Sequence, residues 1–162
     1  MLFRSRFDAA AGLVAVGHDD GATVLSVASN EVVRDIPTVD PVEHIDWDAG
    51  GDLWLVHNGG VRQAVEYDQF GASGARTTVM NGGVASFLVL DDGRILTGGF
   101  DGTVLIHADD GTQDDLITGL GGAVKVLVED GLILWIGLAD GTVHRYSTTT
   151  WQGGFVSSSR SE

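Results

Sequence analysis

Four glycine-centred turn phrases recur along this chain at nearly constant spacing. They are Gly17-His18-Asp19-Asp20-Gly21-Ala22-Thr23-Val24, Val56-His57-Asn58-Gly59-Gly60-Val61, Gly98-Gly99-Phe100-Asp101-Gly102-Thr103-Val104 and Gly137-Leu138-Ala139-Asp140-Gly141-Thr142-Val143. Their closing glycines, 21, 60, 102 and 141, lie 39, 42 and 39 residues apart. A second series of acidic turns runs in phase: Asp8, Asp48, Asp91 and Asp130 are separated by 40, 43 and 39. Two turn series with matching intervals define a repeat, and a repeat decides the fold before any local reading does.

Within the third unit, Val84 to Leu90 reads as a strand, Asp91-Asp92-Gly93 as a turn and Arg94 to Thr97 as a strand. Asp101-Gly102 is the next turn, Thr103 to Ala108 the third strand, and Asp115 to Thr118 a weaker fourth. Asp-Gly between apolar runs is a hairpin signal, because glycine supplies the positive φ that such turns require. Leu132-Ile133-Leu134-Trp135-Ile136 is continuously apolar, as suits a strand covered on both faces. No segment carries a 3.6-residue period, so almost no helix is expected.

One four-stranded sheet cannot cover both of its apolar faces, whereas stacked sheets can. The expected fold is therefore all-β, with four four-stranded antiparallel units of about 40 residues. The units fall at about 2–41, 42–82, 83–122 and 123–156 in one domain, with 157–162 as a disordered tail.

These phrases resemble the WD-repeat class of β-propeller, most closely at Asp101-Gly102-Thr103-Val104 and Asp140-Gly141-Thr142-Val143. The repeats are degenerate. The places of the family's Trp-Asp pair hold His107-Ala108 and Tyr146-Ser147, and Gly82-Gly83 and Gly121-Gly122 stand where Gly-His would open a repeat. The resemblance implies a rigid platform for protein partners, with binding through the turns at the sheet ends. It places the turns at Asp19, Asn58, Asp101 and Asp140 on one partner-facing end, and those at Asp8, Asp48, Asp91 and Asp130 on the other. Propellers typically hold about four to eight blades. Four units imply either a small ring or an arc that a second copy completes.

Charge narrows the partners. Asp and Glu number 23 against 9 Lys and Arg, a formal net charge of −14, and Lys125 is the single lysine. Such a surface repels phosphate backbones, so no nucleic-acid role is expected; it suits a basic protein partner or a high-salt setting. Cysteine is absent, which excludes disulfides and thiolate metal sites. No signal-like apolar run opens the sequence and no span-length apolar stretch follows, so a soluble protein, cytoplasmic or part of a virion, is expected.

The remaining motifs read as structure. His18-Asp19-Asp20 is a polar hairpin turn. The Asp-Asp-Gly triplets at 19–21, 91–93 and 109–111 lack the alternating oxygen spacing of a calcium loop. His57, His107 and His144 fall at different registers, so a shared zinc ion is not implied. Gly71-Ala72-Ser73-Gly74 reads as a glycine-rich loop without the pattern of a nucleophile elbow. Trp47, Trp54 and Trp135 read as filling between sheets, and Trp151 as exposed.

No catalytic residue, metal or cofactor is assigned. The expected function is a non-catalytic protein-interaction or structural module acting within a larger assembly. One alternative is a structural component of a virion or other multicopy complex. Another is a propeller enzyme or ligand-binding protein with a site at the axis, for which the inner strands of the last two units offer Ser86 and Lys125.

Overall fold

The computed structural model describes residues 4–58, 62–67, 73–79, 83–108 and 112–158. Their regular structure is sixteen strands in four antiparallel sheets, each built from consecutive residues. Sheet 1 holds β1 (Arg4–Asp8), β2 (Leu13–His18), β3 (Gly21–Ser26) and β4 (Val32–Pro37). Sheet 2 holds β5 (Val42–Trp47), β6 (Leu53–Asn58), β7 (Arg62–Tyr67) and β8 (Ser73–Val79). Sheet 3 holds β9 (Val84–Val89), β10 (Ile95–Gly99), β11 (Val104–His107) and β12 (Gln113–Ile117). Sheet 4 holds β13 (Val124–Asp130), β14 (Ile133–Leu138), β15 (Thr142–Ser147) and β16 (Gly153–Ser158).

The all-β reading therefore holds, with local corrections. Ser73 and Gly74, read as loop, open β8, and β16 runs to Ser158, two residues into the expected tail. An edge strand gains a ladder of hydrogen bonds that residue composition alone does not reveal. The triplet at 109–111 lies outside the described residues, as does the side chain of Asn58.

The sheets stack in chain order. The first strands are neighbours, β1 with β5, β5 with β9 and β9 with β13; β13 and β1 share no comparable packing among the described residues. Polar ties show the direction of these strands. His44 Nε2 donates to Val84 O at 3.4 Å and Ser86 Oγ to Val124 O at 3.1 Å, joining strand starts. Asp46 accepts from Val89 N at 3.0 Å and Glu129 from Asp91 N at 2.8 Å, joining strand ends. β5, β9 and β13 thus run the same way, and β1 joins them, because Gly17, the partner of Arg4 at its start, abuts Val42 at the start of β5; alternate hairpin turns collect at opposite ends of the stack.

Three apolar layers fill the junctions. Ala15, Val24 and Ile36 of sheet 1 meet Ile45, Leu53 and Leu55 of sheet 2. Trp54 and Val56 of sheet 2 meet Phe87, Val89 and Ile95 of sheet 3. Leu96, Val104 and Ile106 of sheet 3 meet Leu127, Leu134 and Ile136 of sheet 4. Each fully buried large side chain contributes roughly 1.5–3 kcal/mol through removal from water. Glycine permits the closest approaches. A Cβ on Gly17 would stand 2.9 Å from both Val42 and Ile45, and one on Gly98 would overlap Val124 of the next sheet.

Candidate interaction surface

At one end of the stack lie the turns after β2, β10 and β14, with the last residue of β6, Asn58, beside them. Asp19, Asp20, Asp101 and Asp140 are exposed there. Two of these turns are fastened identically. Asp101 Oδ1 accepts from Thr103 N at 3.1 Å and from Thr103 Oγ1 at 2.7 Å. Asp140 Oδ1 accepts from Thr142 N at 2.9 Å and from Thr142 Oγ1 at 2.7 Å. The Asp-Gly-Thr order makes this possible, because the glycine takes the left-handed conformation (φ +80° at Gly102, +84° at Gly141) that returns the threonine to the carboxylate. Bonds from the Thr103 hydroxyl and amide hold the Asp101 carboxyl below its usual range. The amide and hydroxyl of Thr142 do the same for Asp140. Both side chains therefore present fixed negative charge.

The first turn is built differently. Ala22 follows Gly21, so the threonine is missing, and His18 Nδ1 accepts from Asp20 N at 3.3 Å instead. An accepting Nδ1 places the neutral ring's proton on Nε2, which faces Thr23 Oγ1 at 3.2 Å; that hydroxyl in turn donates to Asp35 Oδ1 at 3.1 Å. With the hydroxyl donating to the carboxylate and the imidazole donating to the hydroxyl, the row does not activate a nucleophile. It braces β2, β3 and β4.

The opposite end is also acidic, and its carboxylates serve the turns. Asp8 Oδ1 accepts from Ala10 N and Ala11 N. Asp48 Oδ1 accepts from Gly50 N and Asp52 N, while its Oδ2 accepts from Trp54 Nε1 at 3.3 Å. Oxygens of Asp48, Asp52 and Glu66 lie within 4.8 Å of one another, the one grouping among the described residues with metal-ligand geometry. The bonds to Asp48 give that arrangement an internal structural role. Asp92 binds Arg94 at 2.6 Å, and this hydrogen bond holds its carboxyl below the usual range. Arg94 also donates to Thr148 O at 2.8 Å and lies over the Trp151 ring at 4.7 Å. Trp151, expected to be exposed, instead packs against the layer between sheets 3 and 4.

The inner strands carry more polar chemistry than Ser86 and Lys125 alone. Arg6, His44, Ser86 and Lys125 line one cleft of about 290 Å³ on the axial side. Asp46 sits beside it, buried, with Arg6 Nε at 3.3 Å. Burial pushes its carboxyl above the usual value, against the pull of the Val89 amide and Arg6. Arg6 and Asp46 lie two residues before the turn acids Asp8 and Asp48, so aligning the repeats would have placed these opposite charges in one column. His57 is buried, with no hydrogen-bond partner for either ring nitrogen among the described residues, and burial lowers its pKa, which keeps it neutral. His57, His107 and His144 lie on separate sheets, on β6, β11 and β15.

The sequence matches no protein-family model and no curated protein. Its structure is similar to several solved ones. A chain of a mitotic checkpoint complex superposes with a TM-score of 0.75 at 18% identity, over 92% of this chain and 48% of that one. BamB from Moraxella catarrhalis gives 0.67 at 16%, over 91% and 50%. The Cps50 (Swd1) β-propeller domain of Myceliophteria thermophila gives 0.64 at 13%, over 94% and 70%. The chain thus spans about half the length of the first two structures it resembles. Four stacked four-stranded sheets, parallel inner strands and these superpositions together give the chain a WD-repeat-like β-propeller fold.

Proposed function

We propose that this chain is a non-catalytic interaction module that works within a larger protein assembly, with a basic segment of a protein partner bound across the turn end. The observation that carries this reading is the acidic row of Asp19, Asp101 and Asp140, two of whose members are locked by the same threonine contacts. A preorganised row of charge loses little conformational freedom on binding and steers a basic partner toward it. The net charge of −14 favours such a partner and disfavours nucleic acid. Likeness to a chain of a mitotic checkpoint complex and to other propellers supports a scaffold of this kind. No helix among the described residues is long and apolar enough to cross a membrane.

The test is titration of the chain with an arginine-rich peptide and with a glutamate-rich control, by calorimetry at two salt concentrations. Selective, salt-sensitive binding of the basic peptide is expected. The combined variant D19N/D101N/D140N, which retains the turn-forming oxygens, should weaken it about tenfold or more. Equal affinity in wild type and variant would sink the assignment to this end.

A further inference from the structure

The outer faces of sheets 1 and 4 have no neighbouring sheet among the described residues, yet both carry the residues that junctions use. On sheet 4, Val126 and Val128 are 52% and 48% exposed, and Trp135 is half-buried. These side chains share one face, because Val128 pairs with Trp135 and Val126 with Gly137. Trp135 stands six residues before its turn glycine, as Trp54 does, and Trp54 is fully buried between sheets 2 and 3. Gly137 stands four residues before its turn glycine, as Gly17 and Gly98 do. At Gly17 and Gly98 the missing Cβ makes room for the inner strand of the next sheet. At Gly137 the nearest atom to such a Cβ is Val126 of the same sheet, at 3.4 Å. This glycine keeps a seat for an inner strand that no described residue takes.

The outer face of sheet 1 is the complement. Phe7, Val14 and Leu25 are cross-strand neighbours there, with Val16 beside them, and Phe7 is 57% exposed. Val14 and Val16 correspond to Leu134 and Ile136 of sheet 4, which are fully buried against sheet 3. Sheet 1 thus has the face that sheets 2 to 4 each turn to the preceding sheet.

We infer that the open face of sheet 4 receives the open face of sheet 1 from a second copy of this chain, and that two such junctions close a ring of two chains with twofold symmetry. Three points select a second copy. The junction continues, register for register, the packing already made between sheets 1 and 2 and between 3 and 4. The chain covers 48% and 50% of two of the structures it resembles and 70% of the third, so a ring of the size of the first two needs about as much again. Both complementary faces belong to the same chain, so a twofold pairing satisfies both at once. This inference deepens the assembly reading by naming one partner. Its failure would leave peptide binding at the turn end untouched, so the two readings fail separately.

The test is the mass of the full chain in solution, by light scattering and sedimentation over about 1–100 µM, the concentration range in which a micromolar or tighter dimer is populated. Twice 17.0 kDa is expected. Gly137→Leu fills the seat on sheet 4, and Val16→Glu places a charge on the sheet 1 face; each should give a monomer that still melts cooperatively. Should Gly137→Leu fail to fold, Val126→Glu tests the same face. An equimolar mixture of the two variants retains one intact junction and should recover part of the dimer. A monomeric wild type at every concentration overturns the ring. So does a dimer that survives both variants, or an open series of more than two copies.

Discussion

Trp54 and Trp135 occupy the same place in their sheets and have different surroundings. Trp54 is fully buried between sheets 2 and 3, with its indole N–H on Asp48. Trp135 is half-buried on the last sheet, with Val128 and Arg145 as cross-strand neighbours. Position in a repeat fixes which way a side chain points; whether it is covered depends on the next sheet. The sequence reading of Trp135 as filler between two sheets agrees with its direction, and among the described residues of this chain no sheet lies beyond it.

The largest test of this contrast is truncation of each indole. Trp54→Ala should cost about 3–5 kcal/mol in urea denaturation, because a buried aromatic leaves a cavity. Trp135→Ala, measured where the chain is monomeric, should cost about 1 kcal/mol or less. Equal losses would mean that sheet 4 is covered on both sides within one chain. The glycines give a sharper version. Gly98→Ala drives a methyl group into Ser86 and Val124 and should cost about 1–3 kcal/mol. Gly137→Ala meets ordinary contacts and should leave monomer stability unchanged or raise it by about 0.5 kcal/mol.

A smaller effect is expected at Arg94, which ties Asp92 of sheet 3 to Thr148 and Trp151 of sheet 4. Its partner Asp92 is half-exposed to water, so Arg94→Ala should cost about 1 kcal/mol after allowance for screening.

The subtlest expected difference is in pH response. Burial raises the Asp46 carboxyl above 3.8, so the folded state holds this proton more tightly than the unfolded chain does. The contribution of Asp46 to stability therefore grows as pH falls from neutral through the raised value toward 3.8. Asp92 behaves oppositely. Its carboxyl is lowered by Arg94, so its contribution is present above 3.8 and is lost as pH falls through the depressed value. Asp46→Asn should remove the acid-favoured component, and Asp92→Asn the acid-sensitive one, in melting curves recorded between about pH 3 and 7.

The fold was legible because Asp-Gly turns recur in phase and because the strands between them are apolar and short. Strand limits moved by a residue or two where edges fray, as at β12, which begins at Gln113 rather than Asp115. The acidic turn positions could also be read, since Asp-Gly-Thr carries its own hydrogen bonding. The tie between Arg6 and Asp46 could not be read unit by unit, because it joins neighbouring repeats. Nor could the packing of Trp151, which takes φ +52° after three threonines and folds back over Arg94. Both depend on how sheets meet, which the sequence within one unit does not specify.

Each sheet is closed within consecutive residues and, among the described residues, packs chiefly on its neighbours along the chain. That connectivity bears on how the molecule is made. Pairings span short loops, so each sheet can form as soon as its last strand leaves the ribosome, without waiting for distant chain. In the monomer, protection from amide exchange should then be graded, greatest in β6 and β10 of the interior sheets and least in the outer sheets, which open first. A single copy so built would lose its structure from the outer sheets inward, a gradient that closure into a ring would remove.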